Sequence, residues 1–204
     1  MKNKAIAFDL DGTLIDVSLR DYTIYKNVVN KLNGNPIDYS NYWSLRRNKT
    51  DIHYILSQSG IKIETEVEQF LQQRKALMED TEYLKLDTLF PSTPSILNNL
   101  NSEYDIYIIS IRSNKKSTAE QLHSFGLDGY KSYIVNEGKI EYMRKIQNLV
   151  AMVGDTENDI LPANELRIKS VAVLSGIRNR QQLELLNPDC IINSISEINR
   201  VLER

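Results

Sequence analysis

Over the second half of the chain, short and almost wholly apolar runs alternate with segments whose apolar residues recur every three or four positions. Short continuous apolar runs read as strands buried on both faces, and the longer period reads as helices packed against them. Strands are predicted over residues 5–8, 104–110, 132–135, 149–153, 170–174 and 190–193. Helices are predicted over 117–125, 141–147, 160–166 and 180–186, with a last one reaching about 202. In the first of these, Leu122 and Phe125 share a face and Gly126 is the stop signal. Strands separated regularly by helices indicate an α/β chain with a parallel, helix-covered sheet. Right-handed crossovers then collect the strand tips on one edge, where residues distant in sequence can build one site.

Residues 17–88 break this rhythm and contain no convincing strand. Tyr22, Tyr25, Val29 and Leu32 recur at helical spacing, and Asn33-Gly34-Asn35-Pro36 ends that helix. Val67, Phe70, Leu71, Leu77 and Met78 mark a second helical face between Glu64 and Asp80, with shorter helical pieces near 39–46 and 50–57. The expected organisation is a core of residues 1–16 and 89–204 with an all-helical insertion over 17–88. Its hinges fall near 16–18 and 87–91.

Composition narrows the classes. At 204 residues the chain is long enough for one good core and an accessory unit. With 27 acidic and 25 basic residues there is no general case for binding nucleic acid or a membrane surface. Cys190 is the single cysteine, so no intrachain disulfide is possible; within Cys190-Ile191-Ile192 it reads as a small buried residue. No apolar stretch approaches the roughly 20 residues that span a bilayer. Asp9 and Asp11 interrupt the only N-terminal apolar run, which argues against a signal peptide, and a cytoplasmic location is expected. His53 and His123 lack ligand-like partners and read as surface or packing residues.

The richest chemistry stands at the end of the first strand, in Phe8-Asp9-Leu10-Asp11-Gly12-Thr13-Leu14-Ile15-Asp16. At a strand tip the alternation of side chains between faces ceases, so Asp9 and Asp11 can turn towards one crevice. Gly12 permits a sharp bend and leaves its N–H open to an anion. Taken alone, Asp-x-Asp-Gly is equally a solvated acidic turn.

The full string Asp-Leu-Asp-Gly-Thr-Leu-Ile-Asp resembles the first motif of the haloacid dehalogenase-like hydrolases, in particular phosphoglycolate phosphatase-like phosphatases. The resemblance covers the core segments and implies a Rossmann-like parallel sheet with residues 17–88 as a helical type 1 cap. It implies an aspartate nucleophile, Mg2+, and three later elements in order: a Ser or Thr at a second strand tip, a Lys, and an acidic pair. Ser110, Lys139 and Gly154-Asp155-Thr156-Glu157-Asn158-Asp159 occupy those places. On this reading Asp9 attacks phosphorus, and Asp11 protonates the leaving oxygen and then deprotonates water. Ser110 bonds a phosphoryl oxygen, and Gly12 and Thr13 line the phosphate. Adjacent carboxylates repel, and Mg2+, which takes hard oxygen ligands, offsets that with Asp9, the Asp11 carbonyl and Asp155 as ligands. Asp159, a helical turn on, holds a metal water or pairs with the Lys. Lys139 is preferred at the helix start, where P-type ion pumps of the same superfamily place theirs; Lys145 and Lys131 are the alternatives.

Two features stay open. Arg112 departs from the small residue or Asn often found after the motif Ser, and is either a clamp on the leaving group or a solvated loop charge. Arg46, Arg47 and Lys49 follow Trp43 in the insertion, and either read a second anionic group of the substrate or form a solvated helix end. The expected activity is hydrolysis of a small phosphorylated metabolite. A sugar-phosphate mutase and a catalytically idle module that binds a phosphorylated ligand are the alternatives. No G-x-G-x-x-G follows the first strand, which disfavours a dinucleotide-binding enzyme.

Overall fold

The computed structural model describes residues 4–202. Six parallel strands form the central sheet in the order β5-β4-β1-β6-β7-β8. They are β1 (Lys4–Phe8), β4 (Tyr104–Ile111), β5 (Lys131–Val135), β6 (Leu149–Gly154), β7 (Lys169–Val173) and β8 (Cys190–Ile192). Period-two alternation divides their side chains between two layers. Ile6, Phe8, Ile106, Ile108, Val171 and Val173 face α6 (Thr93–Leu100), α7 (Lys115–Ser124) and α11 (Ile198–Leu202). Ala5, Ala7, Ile109 and Met152 face the opposite way, onto α8 (Ile140–Met143) and α9 (Glu157–Leu166). Ala172 packs beside them against Ile160 of α9 and Leu183 of α10 (Arg180–Glu184). Among the described residues no helix is long and apolar enough to cross a membrane.

The helical segment has its own core. Helices α1 (Ser18–Lys31), α2 (Tyr39–Arg47), α3 (Ile52–Gln58), α4 (Glu64–Leu77) and α5 (Thr81–Leu84) follow in sequence. Ile24, Tyr25, Val28, Tyr42, Leu56 and Phe70 are buried among themselves, separate from the sheet's layers. The Tyr25 and Tyr42 rings stack at 4.1 Å, so these tyrosines are packing groups rather than a binding surface. Where the chain leaves and re-enters the sheet domain, β2 (Ile15–Asp16) pairs antiparallel with β3 (Thr88–Leu89). Two-residue strands carry too little pattern to be seen in the sequence.

Several predicted bounds shift. The helix expected over 141–147 ends as a helix at Met143, and Lys145 and Ile146 bond back three residues, to Tyr142 and Met143. Such tighter turns keep Met143 and Ile146 on one buried face while bringing the chain to β6 within a few residues. The helix expected over 160–166 begins at Glu157, because Thr156 and Asp159 form a capping box there. Cys190 is half-buried at the margin of the core rather than enclosed in it.

Candidate active site

The tips of β1, β4 and β6, with the turn into α8, converge on one crevice of about 320 Å3. Asp9 continues the β1 register, its N–H donating to the Val153 carbonyl at 2.8 Å. Lys139, at the N-terminus of α8, is fully buried and its Nζ donates to Asp9 Oδ1 and, at 2.6 Å, to Asp159 Oδ1. Asp159 Oδ2 accepts from the Thr156 N–H at 3.1 Å and from its hydroxyl at 2.9 Å. Asp155 accepts from the Ile177 N–H through Oδ2 at 2.6 Å. Ser110 is buried at the tip of β4 and lines the crevice, with its hydroxyl unpaired among the described residues.

The charges are crowded. Burial pushes the Asp9 carboxyl up to about 7, Asp159 and Asp11 reinforce the shift, and Lys139 opposes it. Asp155 is likewise raised by burial and by the negative charge of Asp9 and Asp159. Lys139 is held in its charged form well above its usual range: burial works against the charge, but Asp159 and Asp9 outweigh it. Carboxylate oxygens of Asp9, Asp155 and Asp159 lie within 4.8 Å of one another. Asp155 Oδ1 is buried without a hydrogen-bond partner among the described residues. An orphaned hard oxygen amid under-neutralised carboxylates fits a divalent cation. Asp159 already serves Lys139 and Thr156, so Asp9 and Asp155 are the better placed ligands.

Asp11 sits differently. Arg112 grips it through Nε to Oδ2 at 2.6 Å and through Nη2 to Oδ1, and Arg20 of α1 adds a bond to Oδ1 at 2.9 Å. Burial alone would raise the Asp11 carboxyl, but Arg112 and then Arg20 outweigh it and hold it at about 2. Arg112 is therefore not a solvated loop charge; it is 4% exposed and fixed on Asp11. Arg20 also ion-pairs with buried Asp87 at 3.1 Å and donates to the Met78 carbonyl at 2.9 Å. Gln121 joins this group, accepting from Arg112 at 3.3 Å and donating to Asp87 at 2.8 Å. Arg20, Asp87 and Gln121 escape sequence reading, since nothing in their spacing says that one cluster joins the insertion, its second hinge and α7.

Other expectations need correction. The Gly12 N–H is not open to an anion; it donates to the Ile15 carbonyl at 2.8 Å and closes the turn after β1. Gly12 is required for another reason: at φ +81° it lies so close to Asp155 that a Cβ would overlap that carboxylate. Gly176 lies against the same side chain, and a Cβ there would overlap it as well. Thr13 is wholly buried beneath the turn and does not line the crevice. Arg46 and Arg47 do not line it either. Arg46 donates to Asp21 at 3.0 Å, and Arg47 reaches over the rim to the Leu174 carbonyl at 2.8 Å. Arg46 is thus held on a residue that lines the crevice, and Arg47 is held on the chain just after β7. The cations that the helical segment does offer to the crevice are Arg20 and Arg74.

A parallel sheet with a strand-tip Asp-x-Asp, a Ser at a second tip, a buried Lys and a second acidic strand tip defines a class, and comparison with known proteins agrees. The family model described as haloacid dehalogenase-like hydrolase matches residues 3–166, and the chain belongs to that family. The chain is 27% identical to a phosphoglycolate phosphatase of Vibrio parahaemolyticus, over 98% of this chain and 96% of that protein. It is 27% identical to a phosphoglycolate phosphatase of Synechococcus elongatus, over 96% and 95%. Among solved structures, a haloacid dehalogenase-like family hydrolase of Streptococcus pneumoniae superposes with a TM-score of 0.72 at 20% identity. That superposition covers 98% of this chain and 99% of the other, and shows the shared fold.

Proposed function

We propose that this hydrolase is a Mg2+-dependent phosphatase that cleaves small phosphomonoesters through an aspartyl-phosphate on Asp9. The reading is supported chiefly by the convergence of Asp9, Asp155 and Lys139 on a crevice floor where the Ser110 hydroxyl is unpaired. Asp9 attacks phosphorus, the ester P–O bond breaks, and the leaving oxygen takes a proton from Asp11. Water then attacks the aspartyl-phosphate, Asp11 accepts its proton, and phosphate leaves with Asp9 regenerated. Lys139 neutralises charge on the transferred oxygens, and Ser110 donates to one of them. Asp9, Asp155 and the Asp11 carbonyl would hold Mg2+, which would supply positive charge to the phosphoryl group and offset the repulsion among the carboxylates.

The double guanidinium grip keeps Asp11 ionised, which suits the water-activating half of the cycle. Delivering a proton in the first half requires that grip to loosen. Arg20 belongs to α1, so movement of residues 17–88 as a cap about the β2–β3 pair would couple closure to proton delivery. Its core partners, residues 1–16 and 89–204, carry the chemistry. The substrate is a small phosphorylated metabolite in the cytoplasm, with no nucleic acid or membrane as partner.

Phosphate release from a panel of sugar phosphates, phosphoglycolate, nucleotides and an aryl phosphate, with Mg2+ and with EDTA, tests the proposal. Metal-dependent release from at least one ester is expected. No release from any of them with Mg2+ present would contradict it.

A further inference from the structure

The crevice's guanidinium groups are already matched. Arg74 pairs with Asp21 at 2.6 Å, Arg20 with Asp11 at 2.9 Å and Asp87 at 3.1 Å, and Arg112 with Asp11. Each of these cations already holds at least one carboxylate. Six buried polar atoms of the lining residues have no hydrogen-bond partner among the described residues: Ser110 Oγ and Asp155 Oδ1, described above, Arg20 Nε and Arg74 Nε, and two that face each other. Arg112 Nη1 and Glu79 Oε2 are buried without a hydrogen-bond partner among the described residues, and both residues line the crevice. They form an ion pair at 3.6 Å, too long for a hydrogen bond and near enough for one inserted group to bond to both.

Glu79 follows α4 and leans over the crevice from the helical segment, while Arg112 follows β4 and rises from the sheet. The donor and the acceptor therefore come from opposite sides. A hydroxyl carries one proton to donate and lone pairs to accept with, so it satisfies both atoms at once. A carboxylate satisfies Arg112 but sets its charge against Glu79. An alkyl group satisfies neither and leaves both buried atoms unpaired.

We propose that Glu79 and Arg112 read a substrate hydroxyl, and that the enzyme takes phosphomonoesters of small polyols in preference to phosphomonoesters bearing a carboxylate. This rests on the phosphatase reading above and adds the substrate class to it. A cavity of about 320 Å3 restricts the alcohol to a small one. The preference departs from what is named for the relatives, because phosphoglycolate carries a carboxylate.

The test compares kcat/KM of the intact protein for glycerol phosphate, propyl phosphate and phosphoglycolate, with an aryl phosphate reporting phosphoryl transfer itself. Glycerol phosphate is expected to exceed propyl phosphate by about tenfold or more, the effect of hydroxyl bonds to two charged groups. It is also expected to exceed phosphoglycolate, and Glu79→Gln is expected to narrow that second ratio severalfold by removing the repelling charge. The comparison in the unaltered protein stands even if the variant fails to fold. If the aryl phosphate is hydrolysed while glycerol phosphate is no better than propyl phosphate, or phosphoglycolate is the best of the three, the hydroxyl-reading pair is wrong and the phosphatase stands. If no ester is hydrolysed, the phosphatase reading fails first and this one with it.

Discussion

Replacing Arg20 with methionine removes a cation that ties the helical segment, the second hinge and Asp11 together. The Arg20 side chain is 1% exposed and that of its partner Asp87 is 0% exposed, so the variant strands a buried carboxylate with only Gln121, among the described residues, to bond it. Breaking a buried pair from one side costs about 3–5 kcal/mol. Asp87 has an escape, which is to take a proton. Burial already lifts its carboxyl to about 6 despite the pull of Arg20. A folded value raised above the unfolded 3.8 means that its favourable contribution is complete below 3.8 and lost as pH rises through about 6. Without Arg20 the folded value climbs further, and the loss continues past that point at about 1.4 kcal/mol for each unit. The penalty in Arg20→Met should therefore be about 1–2 kcal/mol near pH 5, where Asp87 is protonated in both proteins and only the Met78 bond and the Asp11 pair are missing. It should reach about 3–5 kcal/mol near pH 8. Urea denaturation of both proteins at the two pH values measures this directly. An equal loss at both, or a loss below about 1 kcal/mol at the higher one, would refute the buried ion-pair account.

Lys139→Met should lower kcat by about a hundredfold or more, since it removes the charge facing the transferred oxygens. Lys145→Ala should leave the rate nearly unchanged, because Lys145 is exposed and lies over the Tyr142 ring at 4.6 Å, away from the crevice. Steady-state kinetics of the two variants with one ester decides between them; a larger loss in Lys145→Ala would overturn the assignment. Asp21 supplies an acid-side prediction. Burial would raise its carboxyl, but Arg74 and Arg46 hold it at about 2. Its contribution is present above the unfolded 3.8 and lost as pH falls towards 2, which amounts to about 2.4 kcal/mol. In acid denaturation the unaltered protein should lose its advantage over Asp21→Asn across that window; a constant gap between the two curves would count against the pairing.

The parallel sheet was legible because strands buried on both faces leave near-continuous apolar runs, as in 149–153 and 170–174. The gathering of Asp9, Ser110 and Asp155 followed from the same reasoning, since parallel strands place their tips on one edge. What escaped were contacts that no period encodes. The β2–β3 pair is too short for alternation, and Arg20 meets Asp87 only once the four helices α2–α5 have folded between them. Arg46 and Arg47 stayed open between substrate cations and a solvated helix end because a charge run shows its sign but not its direction. Gly12 was legible as a bend, yet its close approach to Asp155 depends on the β6 tip, far along the chain. The N–H read as free is used by the turn itself.

The central claim is that Asp9 becomes phosphorylated. Protein mixed with a hydrolysed ester and Mg2+, then acid-quenched within a single turnover, should show by mass spectrometry one added phosphoryl group on the peptide containing Asp9. Asp9→Asn, nearly isosteric and folded by circular dichroism, should show neither the adduct nor phosphate release, and EDTA should suppress both in the unaltered protein. Phosphate release by the folded Asn variant at close to the normal rate would contradict the aspartyl-phosphate mechanism.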